Sequence, residues 1–274
     1  MQIITAINFK GGIGKTTFTI QIAHIYAKKG KRVLVIDMDS DICATQAFGI
    51  NEIDKNRTIW HALVHPVEGI RHLVRPYTGT LATPITYSGC IDILPGIQEV
   101  NSAPLAFDKN LAKQPVQSFE AVLSYLVTTH ASAYDVVLID PPPGWDRMND
   151  TILFAAQYAI ASLSAEALAV RGVANLLNRI KEKNIERATF HISGQTQLLG
   201  LLLSKTMPDQ VPAARSLLET LNKKAIPAFQ TIIPYTTAGW KAPESYLPID
   251  VFAPNDEAAQ AYEAVLQEME RKIG

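Results

Sequence analysis

Eight consecutive residues, Lys10-Gly11-Gly12-Ile13-Gly14-Lys15-Thr16-Thr17, combine glycines, lysines and threonines in one run. Glycines tolerate unusual dihedrals and carry no side chain, so backbone N–H groups can close around a polyphosphate. Lys15 would add a point charge toward the β and γ phosphates, and the Thr16 hydroxyl suits Mg²⁺. The chemistry such a loop supports is binding of a nucleoside triphosphate. Asp140 could complete it, because a carboxylate that ends an apolar run beside a phosphate loop orders Mg²⁺, often through water. That run is Tyr134-Asp135-Val136-Val137-Leu138-Ile139-Asp140, followed by Pro141-Pro142-Pro143-Gly144.

These groups need elements to hold them. Ile3-Ile4-Thr5-Ala6-Ile7 precedes the glycine run and a helix-like stretch follows it, giving strand, loop and helix, with the helix N-terminus aimed at the anion. The usual template has glycine five residues before Gly14, where this chain has Phe9, and a second lysine, Lys10, precedes the glycine pair. Further apolar runs lie at Arg32 to Asp37, at Leu198 to Leu203 and at Thr231-Ile232-Ile233-Pro234. Such near-continuous runs read as strands covered on both faces, hence parallel. Helical patterns fall at residues 15 to 29, 117 to 129, 165 to 183, 212 to 224 and 255 to 273. The alternation predicts an α/β fold, a doubly wound, mostly parallel sheet flanked by helices. Ligands sit beyond the carboxyl ends of such strands, where Lys10, Asp37, Asp39 and Asp140 would converge.

The 274 residues, 47% apolar and 19% charged, suffice for a sizeable core, and residues 1 to 274 are expected to form one domain. Residues 50 to 116 are an irregular elaboration divided by Pro66, Pro76, Pro84, Pro95, Pro104 and Pro115. A formal charge of −1 excludes a strongly basic protein, so nucleic-acid contact would come from a local patch. Cys43 and Cys90 have neither framework nor metal-ligand spacing, which fits a reducing cytosol. The histidines are scattered, with His24 in a helix pattern and His61 and His65 in a short one, and are expected to be structural. No signal-peptide pattern opens the chain, and no apolar run is long enough to span a bilayer.

The run from Asn8 to Thr17 resembles the ParA/MinD family of P-loop ATPases, in which the extra lysine, here Lys10, reaches into the partner subunit of an ATP-sandwich dimer. Val33-Leu34-Val35-Ile36-Asp37-Met38-Asp39 resembles the family's Asp-x-Asp motif. By that match Asp39 positions the attacking water while Asp37 supports the Mg²⁺ and phosphate end. The family continues Pro-Gln-Gly-Asn-Ala-Thr; of Ser40-Asp41-Ile42-Cys43-Ala44-Thr45, only Ala44 and Thr45 match. Asp140 and its prolines resemble the Walker B segment. The stretch from Ser164 to Val173 is similar to a later family string, as are Thr231 to Pro234 followed by Ala242-Pro243-Glu244-Ser245. The segment after that strand lines the adenine pocket in relatives, which nominates Pro234 and Tyr235, and secondarily Ser204 and Lys205 at the end of the preceding strand.

The resemblance implies a P-loop NTPase fold and a cytoplasmic, nucleoid-associated homodimer. It would bind ATP and Mg²⁺, hold DNA without sequence preference and be stimulated by a ParB-like adaptor to segregate or position cargo. Lys10 lies so near the start that no N-terminal helix-turn-helix domain is expected. Arg171, Arg179, Lys181, Lys183, Arg215, Lys223 and Lys224 are the candidate DNA contacts. A MinD-like membrane-cycling ATPase is an alternative, but Glu257, Glu263, Glu268 and Glu270 would be repelled by anionic lipid. The last helix therefore reads as core-packing through Tyr262, Val265, Leu266, Met269 and Ile273, and no membrane partner is expected. A dethiobiotin-synthetase-like ligase would need a carboxylate-substrate pocket, for which no constellation is found. An iron-protein-like electron carrier would need cysteines after the Walker B strand.

Overall fold

Val33, Val35 and their neighbours on Arg32–Asp37 leave that segment no polar face. Val33 and Val35 pack into one apolar layer and Leu34 and Ile36 into another. The same holds along the computed structural model, which describes residues 1–8, 11–80, 82–164, 170–189 and 194–274. Seven strands form one sheet in the order β3-β4-β2-β5-β1-β6-β7. They are β1 (Gln2–Ile7), β2 (Arg32–Asp37), β3 (Arg75–Pro76), β4 (Cys90–Leu94), β5 (Val136–Asp140), β6 (Tyr158–Leu163) and β7 (Gln197–Leu203). Every pairing is parallel except that of the short edge strand β3 with β4. The register sets Asp37 directly beside Asp140 at the carboxyl ends of β2 and β5.

Helices cover both faces. In chain order they are α1 (Lys15–Lys28), α2 (Cys43–Ala47), α3 (Ile59–Val64), α4 (Ala103–Asp108), α5 (Val122–His130), α6 (Arg147–Ala155), α7 (Val170–Thr189), α8 (Val211–Lys223), α9 (Thr237–Glu244), α10 (Ile249–Phe252) and α11 (Glu257–Ile273). Helices α1 and α11 share one apolar layer, α3 to α6 fill the opposite one, and α7 and α8 pack over β6 and β7. On α11, Tyr262, Val265, Leu266 and Met269 are buried, so the expected core stripe is what the helix presents inward. No helix among the described residues is long and apolar enough to cross a membrane.

Helix α1 starts and stops for identifiable reasons. Gly14 is left-handed (φ 89°), a conformation that costs other residues, and supplies no side-chain cap, so the first-turn N–H groups are left for an anion. At the other end Gly30 (φ 82°) closes a Schellman turn, with Lys31 N donating to Tyr26 O and Gly30 N to Ala27 O.

The structure departs from or adds to the sequence reading at three points. The segment from Thr231 to Pro234 joins no ladder; it is extended and bridges to Thr206 only through Pro234, because a proline has no N–H to continue pairing. Strand β6 and helices α6 and α9 were not anticipated. The helix expected over residues 165 to 183 is described only from Val170, and it runs on to Thr189.

Candidate functional site

The loop from Gly11 to Gly14 is braced from beneath by β6. Ser162 Oγ donates to Ile13 O at 2.8 Å and lies 3.1 Å from Ser204 Oγ, while Asn8 Nδ2 donates to Ser162 O. Gly12 (φ 76°) and Gly14 turn the backbone outward around a cleft of about 320 Å³. Thr16 and Thr17 line that cleft from the first turn of α1, and Lys15 runs into it while remaining 6% exposed.

Behind the loop lies a layer of buried acids. Thr16 Oγ1 donates to Asp140 Oδ2 at 2.8 Å, and Thr19 Oγ1 reaches Asp140 Oδ1 at 3.2 Å. Asp140 is fully buried, and its pKa stands well above the usual carboxylate range. Desolvation is the main cause, followed by the charge of Asp37. Burial likewise lowers the Lys15 pKa, against the pull of Asp140 and Asp39. A cation binding at the Thr16 hydroxyl would meet two hard oxygen donors, the chemistry Mg²⁺ prefers.

Asp37 stands beside Asp140 in the sheet and has partners of its own. Its Oδ2 accepts from Thr45 N (2.8 Å) and Thr45 Oγ1 (2.6 Å), and its Oδ1 accepts from Asp39 N (3.1 Å). Desolvation pushes its pKa up to about 6. Thr45 Oγ1 in turn accepts from Gly96 N at 2.8 Å, so Asp37 moors the segment that carries Asp39. Asp39 lines the cleft with its pKa raised by burial, and its Oδ1 accepts from Asp41 N at 3.0 Å. Cys43 also lines the cleft; burial and the carboxylates Asp140, Asp37, Asp39 and Asp41 push its thiol up to about 11.

The cleft adjoins a narrow apolar recess of about 30 Å³ lined by Pro234, Tyr235, Trp240 and Tyr262. Thr17, Lys205, Gly239 and Trp240 border both spaces. Lys205 has a left-handed backbone (φ 54°), strained for a side-chain-bearing residue, and its Nζ donates to Gly12 O at 3.0 Å. Trp240 is 55% exposed on α9, where Thr236 caps the helix by accepting from Gly239 N.

Structure thus brings Gly11 to Thr17 and Asp39 to one cleft, sets Asp140 behind Thr16, and places Pro234 and Tyr235 in the adjoining recess. Lys10 lies outside the described residues, as do positions 165 to 169 of the family-like string that starts at Ser164. The residues that sequence reasoning missed are Ser162, Thr19, Thr45 and Trp240. Only Thr45, already matched to the family, carried any signal.

The basic candidates fare unequally. Arg179 binds Asp150 through Nε (3.1 Å) and Nη2 (2.6 Å), and the Lys183 side chain, 6% exposed, contacts Asp150 at 3.0 Å and Glu186 at 2.7 Å. Lys183 is corrected from a surface contact to an internal partner, because an acid as buried as Asp150 requires cations, whereas Arg179 pairs with the same acid while keeping 35% of its side chain exposed. Lys181, Arg215, Lys223 and Lys224 are exposed, and the Arg171 side chain lies outside what is described. Of the residues after Asp140, Asp146 caps α6, Arg147 pairs with Asp108 and Glu120, and Trp145 donates to Asp150.

Residues 1–192 match a family profile described as "AAA domain". The chain is 30% identical over 277 residues to the chromosome-partitioning ATPase Soj of Thermus thermophilus, covering 98% of this chain and 96% of the relative. Among solved structures, a putative plasmid partition protein of Borrelia burgdorferi bound to AMPPNP superposes with a TM-score of 0.73 at 19% identity, over 99% of each chain. A cobyrinic acid a,c-diamide synthase of Mycobacterium smegmatis, with bound ADP and magnesium, superposes with a TM-score of 0.69 at 22% identity, over 98% of this chain and 96% of that one. At such identities the two superpositions carry the fold alone.

Proposed function

The chain belongs to the ParA/Soj/MinD family of AAA-domain ATPases, and on that premise we propose that it is a Mg²⁺-dependent partition-type ATPase. In this reading it pairs into an ATP-sandwich homodimer, holds DNA without sequence preference and is discharged by a ParB-like adaptor. The observation that carries the hydrolytic part is the cleft in which Lys15 and Thr16 stand over Asp140, with Asp39 on the wall.

Gly11, Gly12, Ile13 and Gly14 present backbone to the phosphates, and the α1 N-terminus adds its partial positive charge. Lys15 neutralises the β and γ oxygens. Thr16 and Asp140 would hold Mg²⁺, which draws charge from the phosphates when bound. Asp39 orients the attacking water and takes up its proton; burial raises its pKa and so makes it a better acceptor than an exposed carboxylate. Asp37 acts one step back by fixing the Asp39 segment through Thr45. Lys10 supplies charge across the dimer, and Pro234, Tyr235 and Trp240 receive the base. Arg171, Lys181, Arg215, Lys223 and Lys224 are the DNA-facing cations of this reading, acting in the cytoplasm on the nucleoid.

Asp39→Ala separates these steps. It should bind ATP and dimerise, yet lose on the order of 10²-fold or more in hydrolysis, as expected for a positioned base. Sedimentation with and without ATP, together with DNA binding in ATP and ADP, reads the result. A monomer with bound ATP, or equal DNA affinity in both nucleotide states, would overturn the sandwich and partition readings.

A further inference from the structure

Away from the nucleotide cleft, the chain folds three histidines and a glutamate onto one another within the elaboration. Helix α3 presents His61, and His65 ends it. The single turn Pro66–Glu68 and a left-handed Gly69 (φ 74°) then reverse the chain, so that His72 returns toward His61. The His61 and His65 rings stack with centroids 4.7 Å apart, and the His72 ring centroid lies 6.3 Å from that of His61. Glu68 Oε2 accepts from His61 Nε2 at 2.9 Å.

One donor atom from each of His61, Glu68 and His72 lies within 4.8 Å of the other two. Tetrahedral zinc holds such donors at about 2.0–2.2 Å from the ion, which places the donors roughly 3.4 Å apart. Small rotations of exposed side chains close that gap, since Glu68 and His72 are both exposed. The other ring nitrogen of His61, Nδ1, is buried without a hydrogen-bond partner, so Glu68 is the polar group that fixes this ring.

We propose that His61, Glu68 and His72 form a binding site for a borderline divalent transition metal of the Zn²⁺ type, ligated by two imidazoles and one carboxylate. A fourth position stays open to water or to His65. Two nitrogens and one oxygen discriminate against Mg²⁺ and Ca²⁺, which favour oxygen alone, so this site differs chemically from the Thr16 and Asp140 pair. A metal here would staple α3 to the segment leading into β3. The proposal does not depend on the nucleotide reading.

The test is titration of the EDTA-stripped full chain with Zn²⁺ against a chromophoric chelator in excess Mg²⁺, with thermal unfolding in parallel. The expected result is one Zn²⁺ per chain and a raised unfolding midpoint. His72→Ala and Glu68→Gln should each weaken binding by about tenfold or more. Both substitutions fall on exposed side chains, and an unchanged metal-free unfolding midpoint would verify their folds. Absence of stoichiometric binding overturns the site. So does unchanged affinity in both variants, which would place the ion elsewhere, for instance among Asp39, Asp41 and Cys43.

Discussion

The two ends of the nucleotide cleft are built on opposite plans. At the loop end the polar side chains are buried, Thr16 half-buried, and already hydrogen-bonded: Thr16 and Thr19 to Asp140, Thr45 to Asp37, Ser162 to the Ile13 carbonyl. At the recess end the walls are apolar, and two aromatic side chains stand open, Tyr235 at 47% and Trp240 at 55% exposure. The contrast teaches where the free energy of recognition resides. On the proposed reading, charge on a triphosphate would be met by groups fixed before the ligand arrives, so little ordering cost would remain. On the same reading, a base would meet flat side chains that still have to settle, and stacking asks only for a π-face.

The largest effect should come from Lys15→Ala. This removes the buried cation placed to meet the phosphates beside Asp140 and Asp39, and truncating one partner of a buried charge pair across a binding interface costs about 2–5 kcal/mol, or about 30- to 4,000-fold in MgATP affinity. Calorimetric titration would read it, and a near-unchanged affinity would end the assignment of this loop to phosphate. Trp240→Ala should cost about tenfold, within the range for a stacked base, and should weaken ATP, ADP and adenosine alike. If adenosine is unaffected, the recess does not receive the base. Ser162→Ala should be mildest, about fivefold or less, for one lost brace to the loop. Its signature is selective: ATP and ADP weaken while adenosine does not. Were Ser162→Ala as damaging as Lys15→Ala, the loop would owe its shape to β6 rather than to its own glycines.

How much of this was legible follows from where each constraint sits. Gly14 announced itself because a left-handed residue ahead of a helix is a local demand, and the strand ends at Asp37 and Asp140 are local too. Strand β6 gave no such signal, since Ala159, Ala161 and Ser162 are too small and mixed to stand out as an apolar run. Helix α9 holds Gly239 and Pro243, residues that argue against a helix, yet Thr236 caps it and Ala238 and Ala242 bury it. The basic stripe on α7 misled for a different reason. Its counter-charge, Asp150, comes from α6, 29 positions before Arg179, and no periodicity within α7 could register it. His61 and His72 likewise meet only because Gly69 reverses the chain between them.

Gly96 belongs to the stretch whose sequence is least informative, yet a methyl group there would sit 2.9 Å from Asp37 Cγ and 3.1 Å from its Oδ2. No side chain fits without pushing the carboxylate that moors Asp39. If the proposed partition role holds, a genetic selection for its loss should therefore surface alanine at this position alongside changes in the phosphate loop itself. Inspection of motifs would not explain such an allele; the distance to Asp37 does.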